Sequence, residues 1–239
     1  MEQQLSIIKG KQFIILGANS GLANFSIKKL SKRNLIFGTY NNSKPKETKD
    51  FYLLKKLDLS KKKQIEAFIN KISKDLSEIV LINFGAYKQD NLLVNVDEKE
   101  LLKSFQINVF SNFYLNKMLI PIMIKNNWGR IIHLSSQRAI LGSKGASVYG
   151  ASKSSLIGLS NNVASEYARF GITSNIINLG YFDSTLFYNL NKSMQEKYLN
   201  SIPGKKLGTA EEIYNVLEMI VKNPFMNGST IDLHGGVKT

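Results

Sequence analysis

Phe13-Ile14-Ile15-Leu16-Gly17-Ala18-Asn19-Ser20-Gly21-Leu22-Ala23 is a short apolar run that breaks into a glycine turn and then starts a helix. Four consecutive apolar residues without polar alternation suit a strand buried on both faces. Leu22, Ala23, Ile27 and Leu30 then recur at helical spacing, with Lys28, Lys29 and Lys32 on the other side. Gly17 permits the tight turn, and Gly21 lets backbone approach a pyrophosphate at a helix N-terminus. Two spaced glycines alone describe any strand-to-helix turn. Their meaning depends on what surrounds them.

Outward from this unit the same alternation continues. Strand-like runs occur at Leu35-Ile36-Phe37, Ile79-Val80-Leu81-Ile82 and Arg130-Ile131-Ile132-His133-Leu134, then over 172–177 and 230–233. Helical periodicity marks Ile65, Phe68, Ile69 and Ile72, a long stretch over 100–125, another over 147–170 ending at Gly171 as C-cap, and 210–221. Short apolar strands separated by amphipathic helices imply a parallel sheet covered on both faces. With no internal repeat or linker, the expectation is α/β, a single doubly wound, Rossmann-type domain over residues 1–239.

Composition narrows the function. The chain has 239 residues and no Cys, so disulfide frameworks and cysteine zinc sites are excluded. Two His (His133, His234) do not make a metal site, and none is expected. The best apolar run, 119–124, is interrupted by Pro121 and far shorter than the roughly 20 residues of a span. The N-terminus begins Met1-Glu2-Gln3, an acid where a signal peptide needs basic residues, so a cytoplasmic protein is expected, with no membrane partner. The net charge is +14, yet Lys supplies nearly all of it; the only Arg are Arg33, Arg130, Arg138 and Arg169. Nucleic-acid readers favour Arg, so the excess reads as genome composition and no nucleic acid is expected as partner. Twelve of the basic residues lie between Lys28 and Lys63, against Glu47, Asp50 and Asp58. That stretch is a solvated surface or a field for an anionic ligand.

Tyr149 and Lys153 form a Tyr-x-x-x-Lys pair, but so do Tyr40/Lys44, Tyr52/Lys56 and Tyr188/Lys192. About one such pair is expected by chance, so the bare pattern says nothing. Only Tyr149 has a Ser thirteen residues upstream, Ser136, at the end of an expected central strand. Only this pair also opens a long helix, where i and i+4 share a face. A Lys ammonium beside a phenol stabilises the phenolate, so the expectation is a Tyr149 pKa drawn from about 10 toward neutrality, suited to moving protons.

With these pieces the chain resembles the short-chain dehydrogenase/reductase superfamily, in its 3-oxoacyl-carrier-protein reductase-like branch. The matching pieces run in the family's order. They are the turn from Gly17 to Ala23, Leu57-Asp58-Leu59, Asn83-Phe84-Gly85, Asn108, Leu134-Ser135-Ser136, Tyr149-Gly150-Ala151-Ser152-Lys153, Ile202-Pro203, Glu211-Glu212 and Asp232-Leu233-His234-Gly235-Gly236. The resemblance implies that Tyr149 gives a proton to a substrate carbonyl oxygen, which Ser136 also hydrogen-bonds. It implies that Lys153 binds the nicotinamide ribose and that Asn108 holds a water linking Lys153 to solvent. Asp58 would contact adenine and Asn83 line the groove, with Gly17, Asn19, Ser20, Gly21, Leu22, Asn41, Leu59, Gly85 and Gly180 completing the cofactor set. Three positions depart from the pattern: Ala23 for a third glycine, Phe84 for a small residue, and Leu179-Gly180 for Pro-Gly.

The implied reaction is reduction of a small or carrier-linked carbonyl, such as a 3-oxoacyl thioester, or oxidation of the corresponding alcohol. A keto-sugar or nucleotide-sugar reductase is the alternative enzyme; a non-catalytic dinucleotide sensor or scaffold is the alternative from another class. After the second strand the chain reads Gly38-Thr39-Tyr40-Asn41-Asn42-Ser43-Lys44 with no acid, which favours NADP(H) over NAD(H), with Thr39, Asn41, Ser43 and Lys44 as phosphate partners. Residues 181–206 read as a substrate lid. The family commonly pairs through the helices expected at 100–125 and 147–170, which implies a homodimer or homotetramer.

Overall fold

The computed structural model describes residues 8–46 and 48–237. Residues 1–7, on which the signal-peptide reading rests, and Glu47 lie outside them. Seven parallel strands form one sheet: β1 (Gln12–Leu16), β2 (Leu35–Tyr40), β3 (Leu53–Lys56), β4 (Ile79–Asn83), β5 (Gly129–Ser136), β6 (Ile172–Leu179) and β7 (Thr230–Leu233). Their order across the sheet is β3-β2-β1-β4-β5-β6-β7, doubly wound. The direction of winding reverses between β1 and β4, and such reversals open a crevice at the carboxyl ends of the strands.

Strand alternation divides the core into two layers. Phe13 and Ile15 of β1 face one side, packing with α1 (Gly21–Leu30) and α8 (Ala210–Lys222) through Ile27, Leu30, Ile213 and Leu217. Ile14 and Leu16 face the other, with α2 (Lys62–Ile72), α4 (Ser111–Lys125) and α5 (Ser147–Tyr167) contributing Ile65, Leu115, Leu119 and Leu156. A Thr209–Glu212 capping box starts α8. Gly171, at φ 70°, terminates the short turn that follows α5. No helix among the described residues is long and apolar enough to cross a membrane.

Two features differ from the sequence reading. β3 was not expected: it is a four-residue edge strand, Leu-Leu-Lys-Lys, and only its two leucines are even half-buried. The single helix expected over 100–125 is three pieces. α3 (Glu98–Phe105) and α4 flank a π-helical stretch, Gln106–Phe110, which carries the buried Asn108. Wide turns of this kind are frequent where a side chain must be aimed for function. Two short helices, α6 (Thr185–Tyr188) and α7 (Lys192–Ser201), lie within residues 181–206.

Candidate active site

The crevice beyond the strands is two adjoining cavities. The first, about 600 Å³, lies over β1–β3 and is lined by Gly17, Asn19, Ser20, Asn41, Asp58, Leu59 and Gly85 among others. The second, about 550 Å³, lies over β4–β6 and includes Asn19, Ser20, Gly21, Leu22, Asn83, Ser136, Tyr149, Lys153 and Gly180. Asn19, Ser20, Phe84, Ala86 and Leu186 line both, so the cavities form one elongated cleft. Every catalytic and cofactor residue named by the resemblance lines it except Asn108, and of the phosphate partners Lys44 does not.

The turn after β1 is built by missing side chains. Gly17 has φ 70°, and a Cβ there would lie 2.6 Å from the Gly85 backbone nitrogen, so two loops touch backbone to backbone. At Gly21, which lines the second cavity, a Cβ would meet nothing within 4 Å. α1 starts there with no side-chain cap and no acid in its first turn, leaving amide donors and the positive end of the helix dipole facing the cleft. A dinucleotide pyrophosphate fits this cradle. The lining from Thr39 to Asn42 carries no acid, Ser43 faces the second cavity, and Lys44 lies outside both linings. Asp58 accepts from the Ser60 amide at 2.9 Å and caps its own turn.

The turn after β5 works by the opposite means. β5 is buried along its whole length and ends at Ser136. Adjacent strand residues point oppositely, so the Ser135 hydroxyl reaches the Lys153 carbonyl at 3.1 Å while that of Ser136 hydrogen-bonds the Tyr149 phenol. Lys153 is buried one helical turn beyond Tyr149, and its Nζ donates to the Leu134 carbonyl at 2.8 Å. Burial pulls the Lys153 amine down to about 8. Next to it on β5, burial and then the Lys153 charge bring His133 down to about 4.

Tyr149 departs from expectation. Burial pushes its phenol up to about 12, against which the positive charge of Arg138 and the Ser136 hydrogen bond act. Desolvation of the phenolate outweighs the cations near it, so without a bound ligand Tyr149 holds its proton at neutral pH. Lys153 Nζ sits 5.8 Å from the centre of the Tyr149 ring.

Asn108 is buried and lies outside both cavity linings. Its side chain accepts from the Tyr87 amide at 2.8 Å and donates to the Tyr87 carbonyl at 2.8 Å and to Ser152 Oγ at 2.9 Å. Its carbonyl accepts from Asn112 Nδ2 at 2.8 Å. Asn108 therefore ties the loop after β4 to α5 from behind the cleft, and reaches Tyr149 and Lys153 only through Ser152, whose hydroxyl donates to the Tyr149 carbonyl. Asn112 continues the chain, accepting from Asn83 Nδ2, while Asn83 Oδ1 holds the Gly85 amide at 2.9 Å.

A sequence model described as short chain dehydrogenase matches residues 11–195, which contain the glycine turn, both cavities' strands and the Ser136–Tyr149–Lys153 cluster. The chain belongs to the short-chain dehydrogenase/reductase family. It is 37% identical to the 3-oxoacyl-[acyl-carrier-protein] reductase FabG of Buchnera aphidicola subsp. Schizaphis graminum, covering 96% of this chain and 98% of that protein. The protein of the same name from Rickettsia conorii is 31% identical over 96% of this chain and 98% of its own length. A Serratia marcescens short-chain dehydrogenase/reductase structure superposes with a TM-score of 0.86 at 20% identity, covering 97% of this chain and 99% of that one. That likeness carries the fold alone.

As a member of this family the chain is an NAD(P)-dependent oxidoreductase, and its departures have places in the structure. Ala23 is fully buried against the sheet, where a methyl fits. Phe84 is half-buried and lines both cavities, so its ring narrows their junction. Gly180 packs on His234, where a Cβ would come 2.6 Å from the His234 Cα, and so the loop after β6 needs glycine although proline is missing. The sequence reading gave no role to Ser135, Asn112, Ser152 or, above all, Arg138 with its partners Asp90 and Tyr198. A rare Arg two residues past Ser136 was visible; its partners were not.

Proposed function

We propose that this chain is an NADP(H)-dependent reductase of a carrier-linked 3-oxoacyl thioester, also able to run the alcohol oxidation. The observation that carries the reading is the convergence of Ser136, Tyr149 and Lys153 in one cavity that continues into the glycine cradle. The names of the relatives support the substrate class.

In this reading the pyrophosphate rests on the α1 N-terminus at Ser20–Leu22, the adenine lies near Asp58 and Leu59, and the nicotinamide end lies near Asn83, Lys153 and Gly180. Bound there, the nicotinamide supplies or accepts a hydride. The protein does the rest. Ser136 donates a hydrogen bond to the substrate carbonyl oxygen, polarising it. Tyr149, protonated at neutral pH, gives its proton to the same oxygen as charge develops there. Lys153 spends one N–H on Leu134 and turns its others toward the ribose and the phenol; its charge eases formation of the phenolate. Asn108 keeps α5 in register with the loop after β4 through Tyr87 and Ser152.

Residues 1–239 then act as one dinucleotide-binding and catalytic domain with a lid over 181–206. From the lid, Leu186, Phe187, Leu190 and Tyr198 enter the cavity. Such an apolar wall suits the first carbons of an acyl chain better than a hydroxylated sugar face. The absence of an acid after β2, together with Thr39 and Asn41 on the lining, supports NADP(H). The helices α4 and α5 leave an apolar groove lined by Phe113, Pro121, Ile124 and Tyr167, which suits pairing with a second copy in the cytoplasm. The test is reduction of 3-oxoacyl-carrier protein with NADPH and with NADH at equal salt. The reading expects turnover and tighter NADPH binding. Reduction of a keto-sugar nucleotide with none of the thioester overturns the substrate; tighter NADH binding overturns the cofactor.

A further inference from the structure

Behind the cavity lies an ion pair, buried on its Arg138 side and open to solvent on its Asp90 side, that the reaction scheme above does not use. Arg138 is only 6% exposed. Its Nη1 donates to both carboxylate oxygens of Asp90, at 2.9 and 3.0 Å, and its Nη2 donates to the Tyr198 hydroxyl at 3.0 Å. Asp90 belongs to the loop after β4 and also receives Lys88 Nζ at 3.0 Å. Tyr198 belongs to α7 and stacks on Tyr181, with ring centres 4.5 Å apart and planes 16° from parallel. One guanidinium thus joins the loop after β4, the turn after β5 and the lid.

The backbone of Arg138 is braced against the reacting residues. Its amide donates to Ser136 Oγ at 3.3 Å. Its carbonyl sits where a Cβ on Gly150, the neighbour of Tyr149, would come within 2.9 Å. We propose that the Arg138–Asp90 pair is a positioning element of the carbonyl site: Arg138 stands as a permanent positive charge behind the Tyr149 phenol and fastens the lid to that site through Tyr198. The inference rests on the reading of Tyr149 as the proton donor.

Permanence distinguishes Arg138 from Lys153. An Arg does not lose its proton in the working range; burial lowers its pKa, and Asp90 together with Tyr198 and Tyr181 raises it by more. Lys153 titrates near 8. Alcohol oxidation needs the phenolate and therefore higher pH, where Lys153 is losing its charge and Arg138 is not. The groups facing Tyr149 are Lys153 on α5, Arg138 in the turn after β5, Ser136 on β5 with His133 behind Lys153, Asp90 and Lys88 on the loop after β4, and Tyr181 and Tyr198 from the lid. No acid lines the cavity itself among the described residues. Arg138 favours the phenolate and Asp90 opposes it. Removing each therefore has opposite consequences.

The experiment is the pH dependence of kcat/KM for alcohol oxidation with saturating oxidised cofactor. The ionisation of Tyr149 is followed in parallel by the carbon-13 resonance of its hydroxyl-bearing ring carbon, assigned by its loss in Tyr149→Phe. Arg138→Gln moves the rising limb to higher pH by about one pH unit. Asp90→Asn moves it to lower pH. Arg138→Lys keeps the limb near that of the wild type, and like Tyr198→Phe it raises KM several-fold because the lid loses its anchor. If Arg138→Gln does not fold, Asp90→Asn carries the test of the limb and Arg138→Lys that of the lid anchor. Limbs of Arg138→Gln and Asp90→Asn that coincide with that of the wild type, or that move in the same direction, overturn the inference. Turnover persisting in Tyr149→Phe overturns instead the reading on which it rests.

Discussion

The turn after β1 and the turn after β5 lie at the same end of one sheet, with β4 between them, and are built on opposite principles. The first recognises through backbone: Gly17 touches Gly85 where no Cβ fits, and Gly21 leaves open space where a Cβ would project. The second recognises through side chains that are themselves fixed, Ser136 with Tyr149, Lys153 on the Leu134 backbone carbonyl, Arg138 with Asp90 and Tyr198. The first turn needs residues with nothing to move, whereas the second must change protonation and so needs burial and charge in balance. Substitutions in the first should act by steric insertion, and in the second by electrostatics.

Lys153→Met tests the second principle hardest. Turnover should fall by about three orders of magnitude, in line with loss of general acid support, and cofactor affinity should fall with it. Stability should move the other way. The folded Lys153 has a pKa near 8 against 10.5 in the unfolded chain, so the unfolded state binds the extra proton between those values. Wild-type stability therefore rises with pH across that window. At pH 7 the Met variant should be the more stable by about 2–3 kcal/mol, seen as a melting temperature higher by several degrees, and the gap should close by pH 10.5. A variant less stable at pH 7 would mean that the Leu134 bond outweighs the buried charge.

The first principle predicts that two glycines four residues apart fail differently. Gly17→Ala puts a methyl into the Gly85 backbone at positive φ and should cost about 3 kcal/mol, roughly 10 °C in melting temperature. Gly21→Ala should melt like the wild type yet bind NADP(H) about tenfold more weakly, since its methyl meets only the cofactor. Equal losses of stability in both variants would erase the distinction.

These differences also govern what could be read from the sequence. β1, β4 and β5 are buried on every residue, so β1 and β4 stand out as apolar runs and β5 by Ile131, Ile132 and Leu134 within it. β3 escapes because an edge strand with two leucines carries no such signal. The glycine turn is legible because its work is done by spacing. The Ser136–Tyr149–Lys153 set is legible because strand end and helix start place it. Arg138 is not, since its partners lie 48 residues before it and 60 after. The π-helical break around Asn108 and the use of that side chain by Tyr87 and Ser152 are likewise tertiary. For Tyr149 the sequence shows a nearby cation but not the depth of burial, and burial decides the sign.

The smallest effect separates exposed charge from buried charge. Lysines around β3 and the start of α2 flank the first cavity and are mostly exposed, so their field is screened beyond about 10 Å at 0.1 M salt. For an anionic carrier-linked substrate, kcat/KM should fall several-fold between about 20 and 300 mM salt with kcat nearly constant. The oxidation limb assigned to Arg138 should not move. A flat profile would return these lysines to composition alone.

The central claim is that Tyr149 moves the proton while the glycine cradle holds the cofactor independently. Tyr149→Phe, assayed for single-turnover reduction and for NADPH binding by fluorescence titration in the same preparation, tests it most directly. The account expects a rate at least about a hundredfold lower with a dissociation constant within about threefold of the wild type, a difference under 1 kcal/mol. A rate kept above about a tenth of the wild type, or binding lost together with turnover, would contradict it.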